Sequence, residues 1–238
     1  MINLDRGQDI MPYPLRFTQG QKFTLRADYE KYAQTVRQMF NNGELAAFRT
    51  EIEILLGDSD IRVMSYADTP GGISRIVAAR RDQRGCLAKQ HETKDSVTIY
   101  RLPSAYDIGP AIAGALAFGP PGAVSRAVFP GVTRPLTPET GMDFPEQITI
   151  RDDAEYETFP RLDAQIRQAG TIQSHWQPAR KWGRHADKET LAWIDTSKGA
   201  YILSRDFFTV SPMSKKGLED RINQLISEDV ISIRAHRS

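Results

Sequence analysis

The stretch LAWIDTSKGAYILS, residues Leu191 to Ser204, reads as two short strands closed by a polar turn. Apolar and aromatic residues fill both arms, and Gly199 offers the positive φ that a tight hairpin needs. The same reading fits QRGCLAKQ, Gln83 to Gln90, with Gly85 in the place of Gly199. Downstream the likeness continues. VTIYRLPSAYDIGPAIAGAL (Val97 to Leu116) and FFTVSPMSKKGLEDRINQLI (Phe207 to Ile226) each pass from a strand through a proline into a helix. Two such runs imply an internal repeat.

Working outward, apolar residues recur at three- and four-residue steps from Asp28 to Leu56, with Asn41, Asn42 and Gly43 between two runs. That pattern predicts a helical hairpin. Ile61 to Tyr66, Ile76 to Ala79, Cys86 to Lys89 and Val97 to Leu102 then read as four antiparallel strands. Ser104 is placed to cap the helix that follows. Ser125 to Pro160 is a connector rich in Pro, Thr and acidic residues. After a short helix at Leu162 to Gln168, four strands return at Thr171 to Trp176, Thr190 to Ile194, Ala200 to Ser204 and Phe207 to Val210. A helix from about Ser214 to Ile226 closes the second half. The expected fold class is α+β, one domain over residues 1–238 with repeat halves at about 12–120 and 125–230. Each four-strand meander exposes an edge and an apolar face, and joining the two into one sheet hides both.

The 31 Lys+Arg against 30 Asp+Glu leave a net charge of +1, so no long-range field favours nucleic acid or an anionic membrane. Cys86 stands alone, which excludes an internal disulfide and a cysteine-rich metal cluster. Asp5 and Asp9 interrupt any apolar leader. The uncharged run Ile108 to Val124 carries Pro110, Pro120 and Pro121 and is shorter than the roughly 20 apolar residues of a membrane span. A cytoplasmic protein without a membrane span is expected.

Few residues invite a catalytic reading. His175, His185 and Asp195 are of types that suit a metal-dependent hydrolase, the alternative function, but their spacing matches no ligand motif, and hydrogen-bonded or exposed histidines are the favoured explanation. Cys86 and His91 are an odd number of residues apart on one strand and point to opposite faces. Neither a phosphate-cradling glycine loop nor a nucleophile elbow is present. No catalytic residue, cofactor or metal is expected. The segment QPARKWGRHADK (Gln177 to Lys188) sets Lys181, Arg184 and His185 around Trp182, a composition that suits either a protein contact or a solvated loop. ADTPGGIS (Ala67 to Ser74) is a small polar loop able to reshape on contact, or an ordinary hairpin connection.

Taken together, LAWIDTSKGAYILS with FFTVSPMS and a terminal helix, MPYPL, the hairpin containing NNGEL, and RIVAARR-DQRG-CLAKQ resemble the EspG family of type VII (ESX) secretion chaperones, from about Pro12 to Ile226. The resemblance implies a pseudo-twofold fold with a central antiparallel β-sheet flanked by two helical bundles. It also implies no catalysis and binding of PE/PPE proteins. The implied partner is a PE/PPE heterodimer or a similar helical secretion substrate, with a homodimer left open and nucleic acid excluded. Carried over by position, the partner-binding loop is Tyr66 to Ser74, giving Tyr66, Asp68, Thr69, Gly72 and Ser74. Trp176, Lys181, Trp182, Arg184 and His185 complete the candidate surface. Three features depart from the family pattern. Ala200 replaces the arginine after the turn glycine, the Tyr66 to Ser74 loop is short, and a first strand and helix before MPYPL are missing.

Overall fold

In a computed structural model, residues 11–16, 23–57, 59–91, 96–129, 159–176, 185, 188–205 and 207–237 are described. The N-terminal helices are α1 (Arg26–Asn42) and α2 (Arg49–Leu56), joined through a 3-10 turn at Ala46–Phe48. Four strands follow: β1 (Ile61–Thr69), β2 (Gly72–Arg81), β3 (Arg84–His91) and β4 (Ser96–Leu102). A 3-10 turn, Ala105–Asp107, leads into α3 (Ile108–Ala115). The second half holds β5 (Ala127–Val128), β6 (Ile166–Trp176), β7 (Leu191–Thr196), β8 (Gly199–Leu203), β9 (Thr209–Pro212) and α4 (Lys215–Arg237).

All nine strands form one antiparallel sheet in the order β4-β3-β2-β1-β6-β7-β8-β9-β5. Its centre is the pairing of β1 with β6, from Ile61 opposite Trp176 to Asp68 opposite Ala169. Outward from that joint the two meanders run in mirrored sequence order, which is a pseudo-twofold normal to the sheet. The expected α+β architecture with a repeated half is therefore present.

Alternation along the strands divides the core in three. On one face, Ile61, Val63, Ile76, Ala78 and Leu87 of the first half join Ile172, Leu191 and Trp193 of the second beneath α3 and α4. The two helices, one from each half, touch because Gly109 has no side chain. A Cβ there would lie 3.0 Å from the Glu219 carbonyl oxygen. On the other face, Val77, Ala79, Cys86 and Ala88 pack under Ile54 and Leu55 of α2. Ala192, Ile194, Tyr201 and Val210 pack with Ala127, Phe129 and Leu162. Each large apolar side chain so buried contributes roughly 1.5–3 kcal/mol, so the segments flanking the sheet are fastened mainly by this alternation.

The structure corrects three local readings and decides a fourth that was left open. Leu162 to Gln168 is not a helix: Leu162 donates its N–H to the Val128 carbonyl (2.8 Å), and β6 already begins at Ile166. Extended pairing wins there because so short a segment cannot offset the cost of helix nucleation. Gly85 does not supply the positive φ of its turn; Asp82 does, at φ 54. Gly85 is instead a point of close approach, where a Cβ would lie 2.8 Å from the Ser104 carbonyl oxygen. The expected φ at Gly199 is found, at 106. Of the two readings left open for Ala67 to Ser74, the ordinary hairpin connection is the one found. Strand pairing continues to Thr69 opposite Gly72, and only Pro70 and Gly71 turn the corner. Finally, α4 continues past Ile226 to Arg237.

Candidate partner-binding surfaces

Of the ten residues singled out from the sequence, the seven that are described fall at two ends of the sheet. Tyr66, Asp68, Thr69, Gly72 and Ser74 sit at the β1–β2 tip, whereas Trp176 lies beside Ile61 at the far end of β1. At about 3.3 Å per residue, those ends are more than 20 Å apart. At the tip, Asp68 is exposed and Thr69 Oγ1 donates to the Gly72 carbonyl at 2.6 Å, stiffening the corner around Gly72, whose φ is 100. The Arg75 guanidinium stands 5.8 Å from the Tyr66 ring centroid. The far end is already engaged within the molecule, since Trp176 meets the His236 ring of α4 at 5.3 Å. Lys181, Trp182 and Arg184 lie outside the described residues.

His185 is held by a side-chain clamp. Gln173 Oε1 accepts from the His185 N–H (2.8 Å), while its Nε2 donates to the His185 carbonyl (2.8 Å) and to Thr190 Oγ1 (3.1 Å). A buried amide thus stands in for a strand partner, satisfying backbone groups that would otherwise be costly to bury. Gln90 does the same in the first half, bonding both the N–H (3.0 Å) and the carbonyl (2.5 Å) of Arg16. These clamps were not legible because a glutamine in a strand carries no spacing signal.

The clamp brings the His185 and His175 rings within 4.9 Å of each other, which sequence spacing did not suggest. His175 is buried, and among the described residues neither ring nitrogen has a hydrogen-bond partner. Its neighbours are Arg62 across the strand pair, His185 and Lys188, with Asp229 the nearby anion. Burial first, then the His185 charge, pushes its pKa below the ordinary 6.5; the Trp176 backbone and Asp229 oppose this, and Lys188 adds to it. In the unfolded chain the ring titrates near 6.5, so below that pH the unfolded state binds more protons than the folded one. The stability owed to neutral His175 is complete above about pH 6.5 and is lost on acidification toward the folded value. Urea titrations between about pH 7 and pH 5 are expected to show that loss, and His175→Gln is expected to reduce its slope. An unchanged slope in that variant would place the acid sensitivity elsewhere.

The hydrolase alternative is overturned by position. Asp195 pairs with Gln168, seven residues along β6 from His175, and accepts from Gln168 Nε2 at 3.1 Å. That separation is on the order of 23 Å, so His175, His185 and Asp195 cannot converge on one ion. Among the described residues no group of three His, Cys, Asp or Glu side chains is placed to hold a metal. The Cys86 thiol is buried under α2, and burial pushes it up to about 12, which makes it inert at neutral pH.

A polar cluster that the sequence did not flag fastens α4. Asp229, buried, accepts from Ser174 Oγ at 2.5 Å and pairs with Lys188. Its signal was available: Leu218, Ile222, Leu225 and Ile226 form the buried stripe of α4, and Asp229 occupies the next position on it. By contrast α1 buries nothing, and its aromatic stripe, including Tyr29 and Tyr32, remains at least partly open with Phe23 stacked beside it. No helix among the described residues is long and apolar enough to cross a membrane.

No curated protein matches the chain. Among solved structures, the chaperone EspG5 of the Mycobacterium tuberculosis type VII secretion system, in complex with a PE25-PPE41 dimer, is similar at 10% identity and a TM-score of 0.48. That likeness covers 86% of this chain and 85% of EspG5. The model of the EspG family matches residues 7–224. A match that starts ahead of α1 and ends within α4 takes in both halves of the sheet and the joint between them, and the chain therefore belongs to the EspG family.

Proposed function

We propose that the protein is a chaperone for PE/PPE-type substrates of a type VII secretion system, acting without catalysis in the cytoplasm. The observation that carries this reading is the family match over residues 7–224. The physical task suits a rigid platform: a helical substrate with an exposed apolar tip self-associates, and covering the tip removes apolar area from water at roughly 25 cal/mol per Å². The proposed contact is the stiff β1–β2 tip, with Tyr66, Asp68, Thr69, Gly72 and Ser74. The end carrying Trp176 and His185 is a separate second contact, to which Lys181, Trp182 and Arg184, outside the described residues, are assigned by sequence alone.

Co-expression with a PE/PPE pair encoded in the same genome is expected to give a complex that co-elutes with the tagged chain. Asp68→Lys, at an exposed position, is expected to weaken that complex by about tenfold without lowering the melting temperature. Failure of every such pair to co-elute would remove the reading, and an unaffected Asp68→Lys complex would remove the tip as its contact.

A further inference from the structure

The Trp176 end of the sheet is held differently from its centre. β6 pairs with β7 only as far as Ile172 opposite Leu191, so Gln173 to Trp176 have β1 on one side and, among the described residues, no strand on the other. The segment at His185 and Lys188 lies there instead, held by the Gln173 amide, whose Nε2 donates to the Lys188 carbonyl (3.2 Å) as well as to that of His185. From this segment Lys188 reaches Asp229 of α4, which also accepts from Ser174 Oγ. α4 itself is fastened in two ways. Its first part buries Leu218, Ile222, Leu225 and Ile226 in the core. From Ser227 to Arg237, about three turns, it buries only Asp229; Val230 and Ile233 are half-buried and Ile231 is exposed. His236 meets Trp176, and Arg237 pairs with Asp60 at 3.2 Å near the surface. An exposed ion pair contributes little, so Asp229 is the anchor of these turns.

We propose that the segment carrying His185 and Lys188, together with the last three turns of α4, is an acid-released strap over the Trp176 end of the sheet. Its trigger is His175. The charged groups that face this ring are Arg62 from β1, His185 and Lys188 from the strap, and Asp229 from α4. α2 brings the Leu55 carbonyl, which accepts from the Arg62 guanidinium at 2.8 Å. A protonated imidazole carries two donors, and at His175 neither nitrogen meets an acceptor among the described residues. The one acid nearby is already engaged by Ser174 and Lys188. A charge so placed is accommodated by letting water reach it, and the His185 ring lies against His175 at 4.9 Å. Displacing His185 draws Lys188 with it, because one Gln173 amide holds both. Asp229 is then a buried carboxylate that has lost its cation, a strongly destabilising state, and the turns it anchors come away. Trp176, covered by His236 until then, is uncovered. The β1–β6 pair and the first part of α4 do not depend on these contacts and stay in place.

The strap does not rest on the chaperone reading and is tested apart from it. Hydrogen exchange of the full chain, expressed as protection factors so that the intrinsic pH dependence of amide exchange drops out, follows the opening. Between about pH 7 and pH 5, the amides of Asp229 to Ile233 are expected to lose protection by about tenfold or more. Those of the β1–β6 pair are expected to keep theirs. His175→Phe removes the titrating ring and keeps an aromatic of similar size, and it is expected to abolish the loss. Asp229→Asn is expected to lower protection of the same turns already at pH 7 while leaving the β1–β6 pair unchanged. Nuclear magnetic resonance of the imidazole rings reads the trigger without any substitution: the His175 ring is expected to titrate over the pH range in which the turns open. Loss of protection in the turns and the β1–β6 pair together would overturn the proposal, because acid would then be unfolding the whole chain. So would turns that stay protected at pH 5, a loss that persists in His175→Phe, or a His175 ring that titrates while the turns remain closed.

Discussion

Replacing Gly170 with valine is expected to lower the unfolding free energy by about 3 kcal/mol or more, read from the urea midpoint at constant slope. Gly170 lies on β6 opposite Ala67, within the strand pair that joins the two halves. A Cβ there would stand 2.7 Å from the Tyr66 carbonyl oxygen, 2.8 Å from Ala67 Cβ and 2.9 Å from Trp193 Cε2. The first two cannot move without the β1 backbone, and the third is an indole packed in the core. Valine's preference for strands, worth less than about 1 kcal/mol, cannot offset three such contacts. Gly114 in α3 provides the opposite case. The nearest atom to a Cβ at Gly114 is the Lys215 ammonium at 3.8 Å, so Gly114→Ala is expected to stabilise by about 0.5–1 kcal/mol. Equal effects at the two glycines would mean that chain entropy, and not close packing at the joint, sets the requirement for glycine.

The repeat was legible because it rests on short-range signals. Alternation fixed β1 to β4, and the Thr196 to Gly199 corner needed a positive φ that only its glycine takes easily. What it could not reveal were partners distant in sequence. Leu162 looks helical until Val128 supplies a backbone partner, and Gly85 looks like a turn glycine until Ser104 is seen against it. The candidate surface suffered most from this. Tyr66 and Trp176 both belong to the central pair, yet an antiparallel register sends them to opposite ends, and no local pattern records a register. The His175–His185 contact likewise depends on a clamp from Gln173 that spacing alone does not encode.

Trp193→Ala is expected to cost about 3–5 kcal/mol, against a total stability on the order of 5–15 kcal/mol for a domain. The indole is fully buried beneath the α3–α4 face, meets the Phe118 ring edge-on at 5.2 Å and lies against Gly170 at the joint. Truncation would open a cavity where both halves and both helices meet, and that site cannot collapse without moving the sheet. Trp193→Phe separates volume from hydrogen bonding. The indole Nε1 is buried with no hydrogen-bond partner among the described residues, and such a group costs about 1–3 kcal/mol. Phenylalanine gives up part of the packing but relieves that penalty, so a net change within about 1 kcal/mol is expected. Urea unfolding followed by far-ultraviolet circular dichroism reads both variants without relying on the fluorophore removed. A phenylalanine variant as unstable as the alanine one would show that Nε1 has a partner, and that Trp193 holds the joint by a directed bond as well as by its volume.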